Sequence, residues 1–311
     1  MNGSSDLSLC VFILTFNEEL HIDRALDSLK DLTDDIVVID SFSTDKTIEI
    51  LKNRGVKFAQ NAWPGNHADQ LNWAIGEHAG TAKWLMRLDA DEYLTPELVL
   101  NIKGALATNT STKGFFLQRG HQFLGKKIKF GGSFPVPILR LWRNGFGACE
   151  RRLMDEHIVL DKGSVTEVLN GYFWDANLKG LSDWIIKHDQ YASKECVEQL
   201  IRRHKKLFIE GRRNKDKNNV KSGKKIYEKL PTGIRSIGYF IYRYILRLGF
   251  LDGYKGFLWH FLQGFWYRTL VDAKVLELEL RMESSDETLD ELLSSTYGYK
   301  FYLENEASDK A

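Results

Sequence analysis

The segment WLMRLDADEYL, residues 84–94, joins an apolar stretch to three closely spaced acids. Its first residues are mostly apolar, which predicts a buried strand. Asp89, Asp91 and Glu92 follow where that strand should end. Carboxylates repel one another and lose solvation when they are buried. The crowding therefore indicates a compensating group, and a divalent cation is one candidate.

The chain before this segment alternates strand-like and helix-like stretches. Strands are predicted at residues 7–14, 34–41 and 56–61, and helices at residues 17–32, 43–55 and 67–80. Asn17 is expected to cap the first of these helices, and Thr95 caps a further helix after the acids. Strands that alternate with helices at this rhythm predict an α/β fold with a mostly parallel sheet flanked by helices.

Polar residues follow three of the predicted strands, at residues 15–19, 40–41 and 89–91. In open α/β sheets, ligands bind beyond the carboxyl ends of the strands. The three polar stretches are therefore expected to converge on one binding site. The first of them has no glycine, and a dinucleotide site requires a G-x-G-x-x-G turn at this place, so the pattern argues against a dehydrogenase.

Two of these positions have alternative interpretations. Asp89 and Asp91 would point to the same side of a strand and could provide half of an oxygen cage for Mg²⁺ or Mn²⁺, or they could be turn acids. Asp40 could hydrogen-bond a nucleoside, or it could serve as a helix cap or turn residue. Gln70, on the third helix, is a candidate for lining the same pocket.

The second half of the chain has a different pattern. Residues 113–125, 137–145 and 150–163 resemble strands joined by glycine-containing turns, and the chain is mostly helical from Ser182 onward. Arg140, in the second of these strands, could contact phosphate or form an ordinary surface ion pair.

The predicted organisation comprises an α/β domain, a helical region and an acidic tail. Their expected boundaries are residues 1–180, with a division at residue 110, then residues 181–282 and residues 283–311.

Three motifs in order resemble the family 2 glycosyltransferases: LTFNEE at residues 14–19, VVIDSFSTDKT at 37–47 and RLDADE at 87–92. The similarity is greatest to the bacterial branch that builds lipopolysaccharide cores and surface polysaccharides. It extends over roughly the first 160 residues and more loosely into the C-terminal helices. Three motifs at strand–helix spacing are far more specific than any one of them.

The resemblance implies a GT-A fold, which is Rossmann-like, with a nucleotide-sugar donor and Mg²⁺ or Mn²⁺. It implies that residues 1–180 are the catalytic domain, with the nucleotide-sugar part at 1–110 and the acceptor side at 111–180. It implies that Asp89 lies near the ribose and that Asp91 binds the metal. The residues it implies for holding the nucleoside are Thr15, Asn17, Glu19 and Asp40. Many members have a second acid and a glycine after the position of Asp40, where this chain has Ser41-Phe42.

The resemblance also places an acidic motif, with the catalytic base, in RRLMDEHIVL at residues 151–160. Asp155 is the first candidate for the base and Glu156 the second, because carboxylates commonly serve this role in sugar chemistry. His157 could ligate the metal or touch the diphosphate. Strand alternation would place Asp155 and His157 on one side and Glu156 on the other. The alternative is a surface strand with solvated charges.

The C-terminal region combines basic and aromatic residues. Residues 202–229 contain 12 Lys and Arg against 3 Asp and Glu. On a helix at residues 233–250, Arg235, Arg243 and Arg247 would form one cationic side, with aromatic and aliphatic residues elsewhere. Such helices suit the interface of an anionic membrane. The alternative is a helical pair packed on the catalytic domain.

The sequence thus predicts a metal-dependent inverting hexosyltransferase. It would use a nucleoside-diphosphate sugar, UDP-linked, and a lipid-linked or lipopolysaccharide glycan acceptor. The predicted location is cytoplasmic, peripheral at the inner face of the membrane, since no signal peptide is seen and the longest uncharged apolar run has 12 residues.

Two alternatives lie in other classes. One is a non-catalytic protein with a degenerate transferase fold that binds membranes or nucleic acid. Nucleic-acid binding is not expected, because the basic run has few aromatic residues for base stacking. The other is a sugar nucleotidyltransferase, but the glycine-rich first loop of that class is missing.

Overall fold

The computed structural model describes most of the chain. The described residues are 7–108, 111–152, 156–209, 233–285 and 287–298. The chain divides into two compact units by its internal contacts. Unit 1 comprises Met1–Gly180 and Arg243–Trp259, and unit 2 comprises Leu181–Tyr242 and His260–Ala311. Most of the basic run at residues 202–229 and the end of the acidic tail lie outside the described residues.

The first half of unit 1 is the predicted parallel sheet. Its four strands lie side by side in the order β3-β2-β1-β4, and all three pairs are parallel. The elements are β1 (Leu9–Thr15), α1 (Ile22–Leu29), β2 (Ile36–Asp40), α2 (Thr47–Asn53), β3 (Lys57–Gln60), α3 (His67–His78) and β4 (Trp84–Asp89). The α/β fold class is therefore confirmed.

The sheet continues beyond β4 as a mixed sheet, which strand–helix alternation did not predict. The strand order is β4-β8-β6-β11-β5, with β7 paired to β6. The elements are β5 (Glu92–Leu94), α4 (Pro96–Thr108), β6 (Gly114–Phe123), β7 (Lys126–Ile128), β8 (Val136–Arg143) and β11 (Thr166–Asp175). β8 is antiparallel to both β4 and β6. No helix connects β6 to β8, and a parallel pair would need such a crossover.

A two-stranded hairpin stands apart from this sheet. It pairs β9 (Gly147–Cys149) with β10 (Ile158–Leu160). The segment between these strands carries the predicted acceptor-side acids.

The core of unit 1 covers both faces of the sheet. Along β1, Leu9, Val11 and Ile13 pack in a cluster with residues of α1. Cys10 and Phe12 alternate with them and pack on the opposite face with residues of α3. A strand buried on both faces needs apolar residues at every position, which explains the continuous apolar run in the sequence.

Unit 2 is helical. Its main elements are α5 (Leu181–Ile209), α6 (Ile234–Ile241), α8 (Tyr267–Ser284) and α9 (Leu289–Tyr297). The helix α7 (Gly253–His260) begins in unit 1. In unit 2, Arg235 and Asp272 form a buried ion pair between α6 and α8. Among the described residues, no helix combines the length and the apolar character that crossing a bilayer requires.

Gly171 allows β11 to pack closely against α4. It has φ +88°, and it lies in a stretch where the register between β11 and β6 shifts. A Cβ atom at this position would lie 2.7 Å from the backbone nitrogen of Leu98. The bulge and the close approach both require a residue without a side chain.

We expect Gly171→Ala to lower the free energy of unfolding by about 3 kcal/mol, because a left-handed conformation and a clash with backbone add together. Gly65→Ala is the matched control, since Gly65 has the same φ of +88° with no atom within 4 Å of the added Cβ. The control should lose only about 1 kcal/mol. Urea denaturation measures both, and equal losses would contradict the packing argument.

Candidate active site

The predicted convergence of strand ends is observed. In the register of the parallel strands, Thr15 of β1 is paired with Asp40 of β2, and Leu14 is paired with Asp89 of β4. The residues that end these three strands therefore lie along one edge of the sheet. This edge is the position at which open α/β sheets bind ligands.

The loops after β1 and β2 are joined by hydrogen bonds. Asn17 does not cap α1 as expected, because His21 occupies that position. Instead, Asn17 has φ +56°, and its Oδ1 accepts hydrogen bonds from the backbone nitrogens of Thr44 (2.8 Å) and Asp45 (3.3 Å). Glu19 is exposed and accepts a hydrogen bond from the backbone nitrogen of Lys46 at 3.0 Å. The two loops thus fix each other's conformation.

Asp40 is fully buried, and its carboxylate accepts hydrogen bonds from the loop that follows β2 and from the neighbouring strands. Its Oδ2 accepts hydrogen bonds from the backbone nitrogen of Ser43 (2.8 Å) and from Nε2 of Gln60 (3.1 Å). Its Oδ1 accepts from the hydroxyl groups of Thr15 (3.1 Å) and Ser43. In this arrangement Asp40 and Thr15 position the loop. Their predicted direct contact with a nucleoside stays a prediction.

Gln70 is also fully buried. Its Nε2 donates to the Oγ of Ser41 (3.2 Å) and its Oε1 accepts from Nδ2 of Asn61 (2.8 Å). It therefore ties α3 to the ends of β2 and β3. The prediction that Gln70 lines the donor pocket is not tested by these contacts.

Two exposed phenylalanines stand on the interlocked loops, and the sequence analysis missed them. Phe16 is 56% exposed and Phe42 is 54% exposed. Phe42 has φ +62°, which is uncommon for a bulky residue and favours a functional role. The signal available in the sequence was an aromatic residue next to a polar residue at each strand end.

Asp89 takes part in a partly buried charge network. It accepts hydrogen bonds from Nε of Arg87 and from Nη2 of Arg140, each at 2.9 Å. Arg140 also donates to Glu92 at 2.7 Å, and the Glu92 carboxylate accepts from the backbone nitrogen of Asp89 at 2.9 Å. Arg140 is 5% exposed, so the surface ion pair considered from the sequence is wrong.

The two acids of this network have opposite pKa shifts. Burial opposes ionisation of Asp89, but the guanidinium groups of Arg140 and Arg87 outweigh it and hold the pKa of Asp89 well below its ordinary value. Burial raises the pKa of Glu92 against the opposing charge of Arg140. The role of Glu92 was missed, although it is the third acid of the segment.

Asp91 lies in a turn, not on the strand. β4 ends at Asp89 and β5 begins at Glu92, so strand alternation does not relate Asp91 to Asp89. Nη2 of Arg24 donates to the carbonyl oxygens of Asp91 (3.0 Å) and Ala176 (2.6 Å). Arg24 thereby fixes the turn relative to the end of β11. The Asp91 residue is partly exposed.

The segment after β9 is held by the first turns of α3. Asn72 exchanges two hydrogen bonds with the backbone of Cys149, at 2.8 and 2.9 Å. Nδ2 of Asn66 donates to the carbonyl oxygen of Arg152 at 2.8 Å. Burial raises the pKa of Cys149, and smaller contributions come from charges that include Glu156 and Asp89.

Of the two other candidates on this segment, Asp155 and His157, the structure describes only His157. Asp155 lies outside the described residues. His157 is exposed and precedes β10, so Glu156 and His157 lie before the strand that begins at Ile158. Their predicted roles as base and metal ligand stay predictions.

A metal would find hard oxygen ligands at this edge. Within the part of the chain that the structure describes, no three His, Cys, Asp or Glu side chains are grouped closely enough to form a metal site. Mg²⁺ is typically held by one or two carboxylates together with substrate phosphates, and it keeps several waters. Asp91 fits that chemistry as a single carboxylate ligand in a partly exposed turn.

Comparisons with known proteins show similarity to glycosyltransferases. Residues 10–127 match the family model described as Glycosyl transferase family 2. An uncharacterized glycosyltransferase of Rickettsia typhi is 29% identical over 279 residues, which are 88% of each chain. The lipopolysaccharide core biosynthesis glycosyltransferase LpsC of Rhizobium meliloti is 24% identical and covers 62% of this chain and 72% of its own. Staphylococcus aureus TarS 1–349 with UDP has a TM-score of 0.39 and 14% identity, covering 91% and 94%.

We expect Arg140→Met to lower the free energy of unfolding at neutral pH by about 4 kcal/mol, because it removes the buried cation that stabilises the ionised Asp89 and donates a hydrogen bond to Glu92. The difference in unfolding free energy between wild type and variant should shrink as the pH falls through the ordinary carboxyl range. Without Arg140 the pKa of each acid is higher, so the acids are neutral at low pH and the missing cation no longer matters. Urea denaturation at several pH values measures this dependence.

Arg54→Met is the control for the Arg140 variant. Arg54 forms an exposed ion pair with Asp27 at 2.5 Å, and exposed pairs contribute about 1 kcal/mol or less. A loss at Arg140 as small as that at Arg54, or a loss independent of pH, would contradict the description of a buried network.

Proposed function

We propose that this chain, which carries a family 2 glycosyltransferase domain, is a metal-dependent inverting hexosyltransferase. The observation that supports the proposal most directly is the meeting of three strand ends at one sheet edge, with Asp40 and Asp89 in register beside β1. The donor is a nucleoside-diphosphate sugar, and a UDP sugar is the first to test. The acceptor is a growing glycan.

The interlocked loops after β1 and β2 form the nucleoside side of the proposed site. Phe16 and Phe42 offer aromatic faces on which a nucleobase can stack, and such stacking contributes about 1–3 kcal/mol. The buried Asp40 and Thr15 hold these loops in place through the hydrogen bonds between them. Asn17 and Glu19 lie on the same loops and are the further proposed donor contacts.

The diphosphate side of the site is the turn that carries Asp91. Asp91 would hold Mg²⁺ or Mn²⁺, and Asp89 lies beside it toward the ribose. When bound, the cation neutralises charge that develops on the departing diphosphate. Arg24 and the Arg140 network keep this turn in one geometry before the donor arrives.

Proton transfer is assigned to the segment between β9 and β10. Asp155 is proposed as the base and Glu156 as the alternative. The carboxylate takes the proton of the acceptor hydroxyl while the acceptor oxygen bonds to the anomeric carbon. The bond from that carbon to the phosphate oxygen breaks, and its electron pair leaves with the nucleoside diphosphate. Attack from the opposite face inverts the anomeric centre.

The proposed acceptor is a lipid-linked or lipopolysaccharide glycan at the cytoplasmic face of the membrane. The support is the similarity to LpsC, which is named for lipopolysaccharide core biosynthesis.

One observation favours a second candidate function, a protein with a degenerate site. Arg87 and Arg140 both hydrogen-bond the Asp89 carboxylate, as expected for a structural acid. Thermal unfolding with a panel of nucleoside-diphosphate sugars, with and without Mn²⁺, distinguishes the two. A donor that raises the melting temperature more with Mn²⁺ supports the transferase, because a ligand that binds only the folded form stabilises it. No shift with any nucleotide supports the degenerate site.

We expect Asp91→Ala to reduce the rate of transfer by about 1,000-fold, because a charge-neutralising metal is lost. Donor consumption under saturating Mn²⁺ measures the effect. Asp31→Ala, an exposed acid after α1, is the control and should keep full activity. Near-normal turnover of the Asp91 variant would contradict the metal assignment.

We expect Asp155→Asn to keep donor binding and to reduce transfer by about 1,000-fold, the contribution of a general base. Donor titration and single-turnover transfer separate the two effects. Asp161→Asn, an exposed acid just after β10, is the matched control. If Glu156→Gln alone gives this result, the base is Glu156. If neither does, the base lies outside this segment.

A further inference from the structure

Two segments of unit 1 form one surface that the proposed catalytic site does not use. They are residues 124–130, which include β7, and residues 245–255, and we call them together the basic apolar surface. The Asp252 carboxylate accepts hydrogen bonds from the backbone nitrogens of Lys129 (3.0 Å) and Phe130 (2.9 Å). Nζ of Lys255 donates to the carbonyl oxygen of Leu124 at 2.7 Å. The two segments are therefore held side by side.

The basic apolar surface exposes large apolar side chains at high density. Between residues 245 and 254, six large apolar side chains are more than 40% exposed, and the neighbouring segment adds Leu124 at 47% and Phe130 at 38%. The six are Ile245, Leu246, Leu248, Phe250, Leu251 and Tyr254. Leu246 is 69% exposed and Tyr254 is 74% exposed. Single exposed apolar residues need no explanation, but a contiguous group of this size marks an interaction site.

The backbone presents these side chains at a conformational cost. Leu248 has φ +58°, between a short π-helical turn (Tyr242–Leu246) and a 3₁₀ turn (Gly249–Asp252). A leucine in the left-handed conformation is unfavourable, whereas glycine or asparagine adopts this conformation more readily. The Leu248 side chain nevertheless remains 47% exposed, so its packing within unit 1 does not explain the unfavourable backbone conformation.

The charge on the basic apolar surface has one sign. Its exposed charged side chains are Lys126, Lys127, Lys129, Arg247 and Lys255. The single acid in these segments is Asp252, which is 5% exposed and engaged in the hydrogen bonds described above. Apolar side chains surrounded by cations match the interface of an anionic bilayer, where the apolar groups enter the acyl boundary and the cations meet headgroups.

The surface lies at the same edge of the sheet as the catalytic site. Trp259, just beyond the surface, packs on the ring of His121 with centroids 5.4 Å apart. Nδ1 of His121 lies 3.3 Å from the Asp175 carboxylate at the end of β11. Asp175 is paired with Glu92 of β5 in the sheet register. A membrane at this surface would lie on the acceptor side of the proposed site.

We propose that the basic apolar surface docks unit 1 onto an anionic phospholipid bilayer. This deepens the proposed function, and rests on it only for the nature of the acceptor. A second copy of the chain is the less favoured occupant, because a two-fold contact would bring like charges together without an exposed acid to pair with them.

The cationic side predicted from Arg235, Arg243 and Arg247 is wrong for two of its three members. Arg235 is buried with Asp272, and Arg243 is buried and donates to the carbonyl oxygen of Gly131 and to Oγ of Ser133. Arg247 alone is exposed. The surface we propose draws its other cations from β7, the residue after it and α7.

Vesicle co-sedimentation of the full chain tests the proposal without donor or acceptor. We expect binding to vesicles of phosphatidylcholine with phosphatidylglycerol, weakening as salt rises, and little binding to phosphatidylcholine alone. The variant Lys126→Gln/Lys127→Gln/Lys129→Gln should bind about 100-fold more weakly. Lys30→Gln/Lys52→Gln/Lys57→Gln, three exposed lysines outside the basic apolar surface, should bind as wild type.

A second variant tests the apolar part. Leu246→Ser/Leu248→Asn/Tyr254→Ser should bind about tenfold more weakly or worse. Asparagine tolerates the left-handed conformation of residue 248, so the fold should be kept, and thermal unfolding checks this. Leu100→Ser, a 70% exposed leucine on α4, is the matched control and should bind as wild type.

The outcomes separate the proposal from its rivals. The docking proposal would be overturned if the wild type did not bind anionic vesicles, or if the variants of the basic apolar surface bound them as well as the wild type. The proposal would also be overturned, in favour of a second copy of the chain, if size-exclusion chromatography showed a dimer for the wild type and a monomer for the variants of the basic apolar surface. Donor hydrolysis with Mn²⁺ and no vesicles is measured in parallel. A chain that binds vesicles but consumes no nucleotide sugar refutes the proposed transfer and leaves the docking surface standing.

Discussion

Arg140 lies buried between the carboxylates of Asp89 and Glu92, where each charge is stable only while its partners remain in place. Asp89 ends β4, Glu92 begins β5 and Arg140 belongs to β8, so one guanidinium joins three strands at the site edge. The turn that carries Asp91 is enclosed by these contacts. Its geometry is therefore set by the fold before any donor or cation binds, as preorganised catalytic sites require.

The nucleoside side of the site is built on a different principle. The side chains of Asp40 and Asn17 accept hydrogen bonds from the backbone of the loop after β2, because buried polar groups must be paired. Phe16 and Phe42 are left exposed on the loops that these bonds hold. A motif that looks like a set of ligand-binding residues in the sequence can thus divide into residues that position a loop and residues that the loop leaves exposed.

The proposed site and the basic apolar surface lie along the same edge of unit 1 and differ in how their charges are arranged. The acids at the ends of β4 and β11 surround the proposed diphosphate position, whereas the cations of the basic apolar surface stand beyond β6 and β7. Trp259 and His121 lie between the two regions. At the strand ends the Asp89 carboxylate is paired with Arg87 and Arg140, whereas the exposed charges of the basic apolar surface are all positive.

The sequence by itself determined the parallel half of the sheet and the convergence of Asp40 and Asp89, because hydrophobic periodicity is local and parallel strands end at one edge. It did not reveal the mixed half, since strand direction there depends on pairing between distant segments. Arg140 lies 51 residues from Asp89, and only the placement of β8 beside β4 brings them together. The same holds for Arg243, whose helical pattern indicated an exposed cation. Only tertiary structure decided which charges are buried, because burial depends on what packs against a side chain from elsewhere in the chain.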